Sequence, residues 1–181
     1  TYWEYVQERE DTDCWDYLNA VWKVMQQSVR DGLENDGVLP GGLNLRRKAA
    51  SYWVKAKSYK VSLQNRCLLM SYALAVSEQN ASGAKVVTAP TCGAAGVLPA
   101  ILYHLKNFHE FSDKNILQAL ATAGLFGNVI KVNASISGAE VGWQGEVGSA
   151  CAMAAAASNQ VFGGSPQQIE YAAEMGLEHH L

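Results

Sequence analysis

The run Asn133-Ala-Ser-Ile-Ser-Gly-Ala-Glu-Val-Gly-Trp-Gln-Gly-Glu-Val-Gly-Ser-Ala-Cys151 decides how the rest of the chain is read. Gly138, Gly142, Gly145 and Gly148 recur every three or four residues, which permits turns and a close approach to the main chain that a Cβ would block. Read alone, the stretch is too irregular for a helix or a strand and predicts a glycine-rich loop. Directly after it, Ala150 to Ala157 forms a small-residue helical pattern that can only pack tightly. A loop that feeds an interior helix implies a core of packed helices.

The flanking chain agrees. From Asp13 to Leu33, apolar residues at Trp15, Leu18, Trp22, Met25 and Val29 recur at three and four, the stripe of an amphipathic helix, with Gly32 and Gly37 read as its end. Leu39-Pro-Gly-Gly-Leu43 reads as a turn, Leu45 to Lys57 as a helix with its basic residues outward, and Leu63 to Gln79 as a helix stopped by Gly83. Val86 to Thr88 is a short extended link. Thr88 to Gly96 then turns into a helix from Val97 to Asn107, where Pro99 fits the first turn because its missing N–H has no partner there. Ser112 or Asp113 caps a helix from Ile116 to Leu125. Ser165 followed by Pro166 opens a last one running through Glu178. The expected fold class is all-α, a compact multi-helix bundle with glycine-rich loops, in a single domain over residues 1–181.

Bulk properties narrow the function classes. With 181 residues, 49% apolar and 17% charged, the chain has material for one sizeable core. A net charge of −3 offers no basic surface, and the cationic patch of Arg46, Arg47, Lys48, Lys55, Lys57 and Lys60 reads as a solvated helix face, so no nucleic acid is expected as partner. No apolar run nears the ~20 residues that span a bilayer, and no leader opens the chain. No membrane is expected as partner either. Cys14, Cys67, Cys92 and Cys151 lack the spacing of a zinc site or redox pair, and free thiols suit a cytoplasmic, reducing location. Cys14, Cys67 and Cys151 read as small buried hydrophobes. A start at Thr1 without methionine and a stop at Leu181 suggest an excised piece.

Two segments hold chemistry. Thr88 to Gly96 and Asn133 to Gly148 both lead into helix N-termini, where unpaired N–H groups and the helix dipole favour an anion such as a carboxylate. Thr88 and Thr91 add hydroxyl donors, Thr91 being equally readable as a helix cap. Cys92 stands at the same turn, where a helix end aimed at it would favour its thiolate. Asn133, Ser135 and Ser137 alternate, so an extended backbone would point all three one way. Glu140 and Glu146 are either acid–base groups or anchors for the loop's own N–H groups. His179 and His180 read as a helix C-terminal feature rather than ligands.

The stretches Thr88-Ala-Pro-Thr-Cys-Gly-Ala-Ala-Gly-Val-Leu-Pro-Ala100, Asn133-Ala-Ser-Ile-Ser-Gly-Ala-Glu-Val-Gly142, Gln144-Gly-Glu-Val-Gly-Ser-Ala-Cys151 and Ala172-Ala-Glu-Met-Gly-Leu-Glu-His179 resemble the α domain of the iron-sulfur-dependent L-serine dehydratases. Leu39-Pro-Gly-Gly-Leu with Arg46-Arg47 matches as well, so the likeness runs from about Asp36 onward. It implies a lyase that deaminates L-serine to pyruvate and ammonia, with a [4Fe-4S] cluster held by three cysteines acting as Lewis acid through an open iron position. It also implies pairing with a β-type domain or subunit. A chain lacking that cover is expected to leave apolar surface open and to form a homo-oligomer.

The chain departs from the family at one decisive position. Trp143 stands between Gly142 and Gln144, where the family places its first cluster cysteine, and an indole donates a hydrogen bond but ligates no iron. The other two family cysteines fall beyond Leu181. The chain alone is therefore expected to bind no cluster and to be inactive. Two other readings stand beside this one: a non-catalytic helical module that binds a small carboxylate or a partner subunit, and a related lyase acting on cysteine or threonine.

Overall fold

The computed structural model describes residues 1–180 and consists, among them, of helices and the segments that join them: α1 (Tyr2–Arg9), α2 (Asp13–Glu34), α3 (Ala49–Ala56), α4 (Val61–Ala81), α5 (Val97–Phe108), α6 (Asp113–Asn133), α7 (Gly138–Val161) and α8 (Pro166–Glu178). The all-α expectation holds. Ser112 caps α6 by accepting from the Asn115 N–H, and Ser165 with Gln168 forms a reciprocal capping box at the start of α8, with Pro166 in the first turn.

The main core joins Trp22 and Met25 of α2, Leu98 and Leu102 of α5, Ile116 of α6 and Met153 of α7. A second cluster packs Val29 and Leu33 against Tyr72 and Val76 of α4, and a third joins Ala152 and Ala156 to Ile169 and Ala173 of α8. Burying each large aliphatic of this kind stabilises the fold by roughly 1.5–3 kcal/mol. Most of α7 from Gly148 to Ala157 is buried, and the helix lies against α5, α6 and α8. Its alanines serve the tight packing that their size predicts.

The structure corrects the reading of residues 133–148 as an irregular loop. Helix α6 continues through Asn133, only Ala134 to Ser137 are non-helical, and α7 begins at Gly138. The glycine signal survives as a kink. Gly142 sits at φ 70°, ψ 176°, a conformation that interrupts the helix and that side-chain-bearing residues rarely adopt. Gly32 does not end its helix either: α2 runs on to Glu34, and Gly32 is buried inside it. The helix expected over Leu45 to Lys57 is shortened to α3, because Val38 and Arg46 pair in an isolated antiparallel bridge that closes the Pro-Gly-Gly turn.

The cationic patch is partly consumed by the fold. Arg47 donates to Gln79 and Ser82 at the end of α4, and the Lys57 ammonium lies 3.6 Å from the centroid of the Trp53 ring. Cys14, Cys67 and Cys151 are half-buried rather than fully buried, and Cys92 is exposed. Burial pushes the Cys14 and Cys151 thiols up, with Glu10 adding to the effect at Cys14. Among the described residues no helix is long and apolar enough to cross a membrane.

Candidate active site

The two segments that stood out in the sequence meet at one side chain. Glu146, half-buried on α7, accepts a hydrogen bond from the Thr91 hydroxyl. Its carboxylate lies in a slot between two glycines. A β-carbon on Gly93 would come within 2.6 Å of Oε1, and one on Gly138 within 2.7 Å of Oε2. Neither glycine has a positive φ, so the approach of the carboxylate, not backbone conformation, is what requires them.

The Thr88–Gly96 segment is fixed from behind. The Asn80 amide donates to the Cys92 carbonyl at 2.9 Å, and Gly96 lies so close to α4 that a β-carbon there would fall 2.7 Å from both the Ala73 carbonyl oxygen and Ser77 Oγ. The Ala89–Pro90 peptide bond is cis. Asn80 and Ser77 are contributions that the sequence did not reveal. Both are ordinary polar residues in the last turns of a helix, and only the packing of α5 against α4 shows what they do.

The expected polar rail of Asn133, Ser135 and Ser137 divides. Asn133 closes α6, and its side chain donates back to the Val129 carbonyl at 2.9 Å. Ser135 donates its hydroxyl proton to the exposed carboxylate of Glu140 and accepts the Ser137 N–H at 3.1 Å. Ser135, Ser137 and Glu140 thus form one small cluster at the start of α7, Thr91 and Glu146 another, and Asn133 stands apart. Thr91 has a single proton, which the Glu146 carboxylate takes, so toward any ligand its oxygen is left as an acceptor.

Thr88 lies elsewhere again. With Ala89 and Pro90 it borders a cavity of about 610 Å³ that Met25, Leu98, Leu120, Asn128 and Lys131 also line. The lining is mainly apolar, and Thr91, Glu140 and Glu146 are not part of it. Glu140 and Glu146 therefore lie outside this cavity, Glu146 against Gly93 and Gly138 where α7 meets the Thr88–Gly96 segment.

A three-thiolate cluster does not fit the residues present. Trp143, 73% exposed, sits directly after the Gly142 kink. Cys14, Cys67, Cys92 and Cys151 are dispersed over α2, α4, the turn before α5 and α7, and no group of three or more His, Cys, Asp or Glu among the described residues could hold a metal ion. His179 and His180 stand at the end of α8 without forming such a group.

The serine dehydratase alpha chain family profile matches residues 3–181. An L-serine dehydratase of Streptomyces coelicolor is 48% identical over 178 residues, which is 96% of this chain and 38% of that protein. One of Haemophilus influenzae is 46% identical, covering 91% of this chain and 37% of its own length, and one of Helicobacter pylori is 37% identical over 91% and 38%. The chain spans well under half the length of these relatives. Similarity of this extent along nearly the whole chain places the protein in the serine dehydratase alpha chain family.

Proposed function

We propose that this chain is the helical part of a lyase that deaminates L-serine to pyruvate and ammonia in the cytoplasm, and that it works only when joined to the β-type domain or subunit that completes the longer relatives. The observation that carries the reading is the convergence of both glycine-rich segments on Glu146, which brings Thr91, Gly93 and Gly138 to one half-buried carboxylate in a chain 48% identical to an L-serine dehydratase. In this reading Thr91, Ser135 and Ser137 supply polar contacts for a small amino acid and Glu140 orders protons beside it, with Glu146 holding Thr91 in place, whereas Thr88, on the separate cavity, and Asn133, bonded back to Val129, would reach it only from the flanks. An iron-sulfur cluster, which the family resemblance implies, would supply Lewis acidity, but the thiols present here do not fit one. This chain alone, with Trp143 in place of a thiolate and no three-cysteine set, builds no such cluster and leaves serine intact.

The test is a transplant. The matched segment of the Streptomyces coelicolor relative is replaced by this chain, once as it stands and once with Trp143→Cys, and pyruvate formation from L-serine is followed under anaerobic conditions. The expected result is pyruvate from the Trp143→Cys transplant, none above background from the tryptophan form, and none from the isolated chain supplied with iron and sulfide. A Trp143→Cys transplant that folds and binds iron yet leaves serine unchanged overturns the proposal, as does pyruvate from the isolated chain.

The exposure of Trp143 favours one companion reading. A large indole left 73% exposed beside a helix kink suits burial against a partner subunit, so the same surface in a chain without cluster chemistry would serve as a docking module. Loss of partner binding in Trp143→Ser, with no catalytic gain in Trp143→Cys, separates this reading from the first.

A further inference from the structure

We propose that Glu146 is a positioning residue, a latch that holds the turn before α5 and the turn before α7 in register through its two carboxylate oxygens. The inference rests on the serine-site reading only for what is being positioned; the latch itself is argued from contacts. Oε1 faces Gly93 and accepts the hydrogen bond that the Thr91 hydroxyl donates, while Oε2 faces Gly138. Two segments separated by more than forty residues in sequence thus close on opposite sides of one half-buried carboxylate. A base needs a free lone pair aimed at substrate. Glu146 has one oxygen engaged by Thr91 and both oxygens flanked by main chain, an arrangement suited to holding rather than to proton abstraction.

The contacts also explain why both flanking positions are glycine. In each case the clashing atoms belong to the far end of the flexible Glu146 side chain, so an alanine at Gly93 or Gly138 would push the carboxylate out of its slot without breaking the backbone. These substitutions remove the latch while leaving Glu146 in place. They complement direct removal of the carboxylate.

Hydrogen exchange of the isolated chain tests the assignment without substrate, cluster or partner. In Glu146→Ala, Thr91→Val and Gly93→Ala, amides of residues 91–96 and of 135–139 are expected to exchange about tenfold faster together, the consequence of losing one charge-assisted hydrogen bond, while the cores of α2 and α5 are unchanged. Glu146→Gln, which keeps an acceptor for Thr91, is expected to restore most of the protection. Combining Thr91→Val with Glu146→Ala should add little to either alone. Faster exchange confined to α7, additive effects of the pair, or a Glu146→Gln variant as loose as Glu146→Ala overturns the proposal. Because no turnover is read, a failed serine transplant with an intact exchange pattern would sink the functional reading and leave the latch standing.

Discussion

Gly32 of α2 lies against Ala75 of α4 so closely that a β-carbon on Gly32 would come within 2.4 Å of the Ala75 carbonyl oxygen and 2.7 Å of its Cα. Both residues are buried, and the obstacle is main chain, so nothing local can yield. Two effects of Gly32→Ala oppose each other. Helix propensity favours alanine by about 1 kcal/mol, whereas forcing two packed helices apart costs roughly 1–3 kcal/mol or more. Packing should win, and the urea midpoint should fall. Gly124 in α6 is the control: a β-carbon there meets nothing within 4 Å, so Gly124→Ala should raise stability by about 0.5–1 kcal/mol. Equal effects at the two sites would contradict the α2–α4 crossing.

His104 gives the protein a pH-dependent weakness. It is buried on α5, stacks on Phe108 with ring centroids 4.9 Å apart, touches His109 edge-on and lies near Tyr72, and neither ring nitrogen has a hydrogen-bond partner. Burial first, and the neighbouring His109 second, push its pKa from 6.5 down to about 4. The unfolded chain therefore takes up a proton that the folded chain refuses. Stability is complete above 6.5, declines as pH falls from there and levels off near 4, with a limiting loss of roughly 3 kcal/mol at about 1.4 kcal/mol per pH unit. Asp113, held below the usual carboxylate range by Lys106 and Trp22, loses its contribution only at lower pH still, so the two windows separate. His104→Phe should flatten urea midpoints between pH 7 and 4.5; an unchanged slope would show that other groups cause it.

Glu78 is a buried acid with a structural task. It projects from α4 to the start of α3, where its carboxylate accepts the Lys48 N–H at 2.6 Å and the Ala49 N–H at 3.4 Å, capping a helix whose own N-cap residue, Lys48, offers no side-chain acceptor. The charge also meets the positive end of the α3 dipole. Glu78→Ala leaves both donors without this acceptor and should cost about 2 kcal/mol, whereas Glu78→Gln keeps one acceptor oxygen and should cost less. Thermal melts of the two variants decide it, with equal losses counting against the capping role.

These cases show where sequence reasoning succeeds and where it stops. Ser112 and Ser165 cap residues three positions away and Pro166 fits the first turn by its own geometry, so these helix starts are legible from order alone. Propensity penalises glycine inside helices, so sequence order alone makes Gly32 a helix end and Gly138, Gly145 and Gly148 loop residues. The bundle rewards it instead: a β-carbon on Gly148 would meet the Leu177 carbonyl oxygen at 2.9 Å, and one on Gly176 the Cys151 carbonyl oxygen at 2.8 Å, so α7 and α8 approach through their glycines. At the candidate site the residue types were legible and their pairing was not. Thr91 and Glu146 are joined only by the way α5 and α7 pack.

Trp143 separates fold from chemistry. Its side chain is largely exposed, and the kink before it depends on Gly142, not on the indole. Removing it should leave the bundle's stability within about 0.5 kcal/mol, as for surface positions generally. Trp143→Cys in the isolated chain should therefore melt like the parent while adding one solvent-accessible thiol. One thiol is not three, so anaerobic incubation of this variant with ferrous iron and sulfide should yield no stoichiometric iron-sulfur absorbance. A destabilisation of several kcal/mol would mean that the indole packs against the bundle. Cluster formation in the isolated variant would mean that Cys92 or Cys151 reaches the same site, and the three-cysteine requirement drawn from the family resemblance would fail for this chain.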